Sequence, residues 1–302
     1  MNSPLEDDGR RGTGRLDLFL HVLRKSGALR PWTAPLVTGD LPNVDMGDSK
    51  RYVSGSWLLR FRNGMSIEVI FQPGKQLVGH FDRVIADLHR LLRMNSDLHP
   101  GGFTHRQLQD LGYGLCVLRH NSRVVGFASS SLLGQLDGHP VLFLGSACVD
   151  RSVKSRSWAY LLNLLPITRL VLRRPWSFLY VASRTSSPRV LGFVTNVYFM
   201  FPRPLHATPD PVLALGAFVA RTLSPHAHYE RDAMTLRGVR MPDPGFRPPD
   251  RHHDPLINAY CDDLLDYAAG DAFILGARFD VPALLRSVCR YWRSLRRSRR
   301  SA

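Results

Sequence analysis

The residues from Lys154 to Ala159 carry the pattern with the most chemical content. The stretch VDRSVKSRSWAYLL, Val149 to Leu162, reads as the end of a strand, a loop of small and basic residues, and the start of an amphipathic helix. Backbone N–H groups in the first turn of a helix have no partner within it. The helix dipole adds partial positive charge there, so that end is a ready anion site. Ser155, Ser157 and Ala159 are small enough to let a phosphate reach the backbone, and Lys154 and Arg156 supply positive charge. Trp158, Leu161, Leu162 and Leu165 give the helix a face to bury. The chemistry this suits is recognition of a diphosphate. The same residues also suit an ordinary strand-to-helix turn whose charges are solvated.

Other residue clusters point less clearly to chemistry. His226, His228, His252 and His253 lie among prolines without regular ligand spacing, which reads as surface histidines and no metal. Cys116, Cys148, Cys261 and Cys289 are far apart with no CxxC pair, so neither zinc nor a disulfide framework is expected and a reducing cytoplasm fits best. Cys148 reads as a structural thiol on a strand. The chain carries a net charge of +15, and of its 40 basic side chains only Lys25, Lys50, Lys75 and Lys154 are lysines. Such an excess attracts polyanions, but an arginine skew of this kind also follows from a GC-rich genome. The C-terminal run from Arg286 to Arg300, with Tyr291 and Trp292 inside it, suits anionic lipid, a phosphate backbone, an acidic carrier protein or simply water. The first fifteen residues lack the apolar core of a signal peptide, and no apolar run approaches the roughly 18 residues of a membrane span, so a soluble, cytoplasmic protein is expected.

Several elements must hold the 149–162 stretch in place. Helical spacing covers Leu16 to Leu29, and a Pro- and Gly-rich connection follows to about residue 55. Two strand-like runs flank Asn63-Gly64, the dipeptide of two-residue hairpin turns. An amphipathic helix covers the stretch from Leu77 to Leu92. A second hairpin turns at His120 to Ser122, and HPVLFLGSACVD adds a third strand. The helix near Ser155 follows, interrupted by Pro166. WSFLYVAS is a further strand, and Ser187 and Pro188 cap and open another helix. Residues 202–255 read as a Pro-rich insertion around one helix. A helix near residue 260, a closing strand AFILGARFD and a basic C-terminal helix complete the chain. The expected organisation is an N-terminal helix and arm (1–55), a core (56–201), an insertion (202–270), and a closing strand with a basic helix (271–302).

With these elements in order, the run resembles motif A of the GNAT acyltransferase superfamily. Val149 takes the place of the valine that ends the family's strand, Lys154 and Ser155 match its Arg-Gly, Ser157 its next Gly, and Ala159 its last Gly/Ala. SRVVGFAS resembles the preceding strand, and YVASRTSSPRVLGF resembles the strand-to-helix step of motif B; together these cover about residues 60–200. The resemblance implies an α/β (α+β) fold with a mixed, mostly antiparallel central sheet, splayed strands and flanking helices.

It also implies acetyl-CoA or another acyl-CoA as donor and no metal. The diphosphate would lie on the backbone of Lys154, Ser155, Arg156, Ser157, Trp158 and Ala159, and the pantetheine on Ala147, Cys148 and Val149, with Ser187 as a further donor contact. An amine acceptor would attack the thioester. An acyl carrier protein could replace CoA as the donor. The chain departs from the family in three ways. Serines stand for two motif A glycines, no acid appears on VLFLGSAC, and Leu191 holds the place of the motif B tyrosine, leaving Tyr198 as the nearest candidate acid. The alternative is a catalytically inactive GNAT-like module that binds nucleic acid or anionic membrane through its Arg-rich end.

Overall fold

The structure, a computed structural model, describes residues 51–53, 56–61, 64–95, 113–150, 153, 156–239 and 250–300. The expected helix over Leu16 to Leu29 and most of the arm lie outside the described residues. The chain divides into two compact units. One comprises Met1–Leu132 and Leu144–Arg173; the other comprises Leu133–Phe143 and Arg174–Ala302.

The first unit begins with β1 (Trp57–Arg60) and β2 (Met65–Phe71), paired antiparallel across Gly64, whose φ of +71° supplies the left-handed conformation the turn needs. A single helical turn, Pro73–Gln76, leads to α1 (Phe81–Asn95). Then come β3 (Gly114–His120), β4 (Arg123–Leu136) and β5 (His139–Val149). The β3–β4 turn places Asn121 and Ser122 at φ 46° and 70°, the signature of a tight primed turn. The last element of this unit is α2 (Arg156–Arg173). Strand neighbours within the unit run β1-β2-β3-β4-β5.

Two helices cover opposite faces of this sheet. Ile70, Leu115, Val117 and Phe127 share a core with Val84, Leu88 and Leu91 of α1. Phe71, one residue on from Ile70 and so on the other face, lies 3.4 Å under the guanidinium of Arg169 from α2. Covering on both sides explains why β3 reads as a near-continuous buried run instead of an alternating one.

A fully buried ion pair sits inside the α1 face. Arg119 Nη2 donates to Glu68 Oε2 at 3.1 Å, with side chains 3% and 0% exposed. Glu68 Oε1 also accepts from the backbone N–H groups of Tyr52 (2.9 Å) and Val53 (3.1 Å) and from the Ser56 hydroxyl (2.9 Å). The Tyr52 ring lies 4.3 Å from the Arg119 guanidinium, and its hydroxyl donates to Asp87 of α1. One carboxylate therefore fixes the arm, β2, β3 and α1 together.

The second unit takes the tip of the β4–β5 hairpin and adds β6 (Leu179–Thr185), α3 (Pro188–Val197), α4 (Asp210–Leu223), β7 (His228–Glu230), β8 (Thr235–Arg237), α5 (Pro255–Leu264), β9 (Ala272–Phe279) and α6 (Val281–Arg300). Its strand order is β5 tip, β6, β9, β8, β7, and β6–β9, β9–β8 and β8–β7 are all antiparallel.

Residues 202–255, expected as a Pro-rich insertion around one helix, hold that helix as α4 and also carry β7 and β8. Val212, Leu215, Val219 and Ala220 of α4 share a core with Val141, Tyr180, Ala182 and Ile274, and β7–β8 extend the strand order beyond β9. The helix α4 comes close to β9 at Gly276, where a Cβ would come within 2.9 Å of Leu215 Cδ2 and 3.1 Å of Val212 Cγ1. No helix among the described residues is long and apolar enough to cross a membrane.

Arg119→Leu should destabilise the protein by about 3–5 kcal/mol, because it leaves the Glu68 carboxylate buried without its cation. Urea unfolding followed by circular dichroism measures this, and a loss below about 1 kcal/mol would show that the pair does not organise the unit.

Candidate functional site

The expected site falls on the last half of β5 and the start of α2, both in the first unit. Helix α2 is apolar almost all round: Trp158, Tyr160, Leu161, Leu162, Leu164, Leu165, Ile167, Leu170 and Val171 are all buried. Trp158 is 1% exposed and meets Phe61 edge-on at 5.1 Å. This enclosure explains a departure from the sequence reading. The helix runs through Pro166 without ending, because packing on the surrounding side chains outweighs the roughly 3 kcal/mol that an internal proline costs. Arg169 secures the far half, lying over Phe71 and 5.9 Å from the centre of the Tyr113 ring. Burial pulls the Arg169 pKa down and pushes the Tyr113 hydroxyl up to about 12.

The helix begins at Arg156, so the N–H groups of Arg156, Ser157, Trp158 and Ala159 have no acceptor inside it. Ala159 is half-buried. Lys154 and Ser155 lie outside the described residues. Val153, between them and the strand, is buried, and its N–H donates to Asp150 O at 3.0 Å.

Three contacts fix which way the end of β5 presents its backbone. The Ser129 hydroxyl donates to Ser146 O at 3.2 Å, and Asp150 N–H donates to Val125 O at 2.7 Å. A Cβ built on Gly126 would lie 3.1 Å from Cys148 O. Ser146, Cys148 and Asp150 therefore turn their backbone groups toward β4, and in an antiparallel strand the intervening residues turn theirs the opposite way. Of Ala147, Cys148 and Val149, expected together as tether-binding residues, Ala147 and Val149 present N–H and C=O away from β4 and Cys148 does not. Ser146 and Ala147 are exposed, in contrast to buried Val141, Leu142 and Leu144 earlier in the strand. Gly126 permits this arrangement, since any side chain there would press on Cys148 O, Val149 Cγ2 and Leu118 Cβ at 3.1–3.3 Å.

Ser187 and Tyr198 belong to the second unit. Ser187 is the N-cap of α3, its hydroxyl accepting from Val190 N–H at 3.4 Å, and Pro188 opens the helix as its sequence indicates. Tyr198 closes the same helix and is 1% exposed, its ring centre 6.2 Å from both Phe193 and Phe279. Leu191 is fully buried. Cys116 is buried, and burial pushes its thiol up to about 12, so it is a protonated side chain at neutral pH. The His252 and His253 ring centres lie 4.0 Å apart with the planes tilted by 40°, and the His252 ring accepts from Asp254 N–H. No group of three potential metal ligands occurs among the described residues.

The fold is a mixed α/β arrangement of mostly antiparallel strands flanked by helices, with β5 ending at Val149 and α2 beginning at Arg156. No family model and no curated protein matches the chain. Solved structures similar to it include Naa50 of Arabidopsis thaliana in complex with a bisubstrate analogue, at 10% identity and a TM-score of 0.39, covering 72% of this chain and 99% of that one. The ribosomal-protein-S18-alanine N-acetyltransferase of Escherichia coli aligns over 71% of this chain and 95% of its own, at 11% identity and a TM-score of 0.33. Diaminobutyrate acetyltransferase of Paenibacillus lautus, with its substrate and coenzyme A, aligns over 70% and 96%, at 12% identity and a TM-score of 0.30.

Gly126→Val should push the Cys148–Val149 segment off β4 and destabilise the protein by about 1–3 kcal/mol, as overpacking does in a closely fitted interior. Thermal melting measures it, and a wild-type melting temperature would show that β4 and β5 are not tightly apposed there.

Proposed function

We propose that this chain transfers an acyl group from a phosphopantetheine thioester, acetyl-CoA or another acyl-CoA, to an amine acceptor. The observation that carries this reading is the backbone orientation of Ala147 and Val149. They turn amide and carbonyl groups away from β4, and Val149 lies seven residues before the amides at the start of α2 that have no acceptor inside the helix. In this reading the donor's diphosphate sits on the amides of Arg156 to Ala159, with Lys154 and Ser155 contributing from the loop. Its extended arm pairs with Ala147 and Val149 as an added strand would. The acceptor's nitrogen lone pair attacks the thioester carbonyl and forms the C–N bond. The tetrahedral oxyanion then collapses with cleavage of the C–S bond. The acceptor nitrogen loses a proton to water, and the departing thiolate takes one up.

The donor arm of this reading is tested by calorimetry with acetyl-CoA. Ser157→Glu places a carboxylate against the diphosphate and should weaken binding at least about tenfold, in line with the strength of charge-assisted contacts to phosphate. Equal affinity in the variant would remove the diphosphate from α2. Wild-type protein that ignores CoA but binds an acylated carrier protein, more weakly as salt rises, would make the carrier the donor.

Tyr198, the candidate acid that the motif B resemblance implies, is tested by substitution. Tyr198→Phe should lower kcat by about a hundredfold with little change in donor KM, the usual effect of losing a general acid. An unchanged kcat would assign Tyr198 to the aromatic core alone.

A polyanion-binding module is the competing reading, favoured by the exposed Arg286, Arg290 and Arg293 on α6, whose opposite face buries Leu284, Val288 and Tyr291. Glutamine at Arg293, Arg296, Arg297, Arg299 and Arg300 should leave acyl transfer intact. Nucleic-acid or vesicle binding lost in that variant, with no transfer by either protein, would favour the module.

A further inference from the structure

The second unit holds two guanidinium groups against one aromatic ring. The Arg203 guanidinium carbon lies 5.5 Å from the ring centre of Phe199 and 4.7 Å from that of Phe201. That of Arg290, on α6, lies 5.2 Å from the Phe199 ring centre. Among the described residues neither arginine makes an ion pair with a carboxylate, although Arg119, Arg189, Arg237 and Arg251 all do.

This arrangement is built into the fold and is not a meeting of loose surface arms. Phe201 exchanges both backbone hydrogen bonds with Gly276 of β9, each 2.8 Å, which anchors the segment carrying Arg203. Arg203 Nε donates to Met200 O at 3.0 Å and so fixes the plane of the fork. Nη2 of the same group is enclosed yet has no hydrogen-bond partner, a state that ordinarily costs about 1–3 kcal/mol, more for a charged donor. Phe199 is held at φ 56°, a left-handed conformation that bulky residues rarely adopt. Burial, and then the like charge of nearby Arg290, draw the Arg203 pKa down.

We propose that Arg203 and Arg290 form a binding site for a phosphate monoester group beside the Phe199 ring. A single carboxylate fills one guanidinium fork and leaves the second charge unmatched. A phosphate monoester carries about −2 at neutral pH and offers three acceptor oxygens, so it matches two forks and cancels both charges. The enclosed Nη2 of Arg203 gains an acceptor, and the repulsion between the two arginines is relieved. This site shares no residue with the proposed acyl-donor site and does not depend on acyl transfer.

The test is calorimetric titration of the full chain with inorganic phosphate at low ionic strength. Wild-type protein should bind it. Arg290→Ala, an exposed position whose loss leaves the core intact, should weaken binding at least about tenfold, the consequence of removing one of two charge-assisted partners. Arg293→Ala should bind as wild type does. Acetate at equal concentration should not displace phosphate. Absence of phosphate binding, equal affinity in Arg290→Ala, or displacement by acetate would each overturn the proposal. Melting curves of all variants accompany the titrations, and an Arg290→Ala protein that melts as wild type and still binds phosphate normally refutes it outright.

Discussion

Enclosure of α2 by apolar contacts is the constraint on which the candidate site depends. A helix buried on nearly every side cannot slide or rotate without exposing Trp158, Leu161, Leu162 or Leu165, and each such side chain is worth about 1.5–3 kcal/mol of burial. Its first residue is thereby fixed, and so is the direction of its unpaired N–H groups. The same packing carries the helix past Pro166, where local propensity alone would end it. The anion-binding potential of the helix start is thus a by-product of how firmly its body is held.

The strand that feeds this helix is fixed with equal economy. Gly126 lets β5 approach β4 closely, and Ser129 and Val125 take up the groups of Ser146 and Asp150 that face them. What remains is a strand segment that turns alternate peptide groups outward at Ala147 and Val149. Beneath it, the Glu68–Arg119 pair ties the arm to β2, β3 and α1, so the first unit's sheet is braced by a charge network as well as by its apolar core. The second unit relies more on close backbone approach. Gly276 admits α4 onto β9, and Arg237 joins Glu230, Asp271 and the Leu264 carbonyl into one knot.

Much of this organisation was legible in the sequence because it rests on local signals. The turn at Gly64, the turn at His120 to Ser122, the Ser187-Pro188 helix start and the strand before Lys154 each follow from residue chemistry within a few positions. The expected helix near Ser155 and the strand AFILGARFD also match α2 and β9. What could not be read depends on distant partners. Glu68 and Arg119 look like stray polar residues in apolar strands until register sets them side by side. Residues 202–255 read as a Pro-rich insertion around one helix, which is α4, but not as parts of a core in which α4 and β8 join β6 and β9. Cys148 and its neighbours look equivalent in sequence, and only the contacts with β4 separate inward from outward peptides. The pairing of Arg203 with Arg290 spans 87 positions and had no sequence signal at all.

The claim that most needs direct measurement is that the outward peptides of β5 and the opening amides of α2 grip one extended donor. Amide hydrogen exchange with and without acetyl-CoA reads this residue by residue. The account predicts slowed exchange at Ala147 and Val149 and at Ser157 to Ala159 when the donor is added, with Cys148 unchanged because its peptide already faces β4. Unaltered exchange at those positions, in a protein shown to bind the donor, would contradict it.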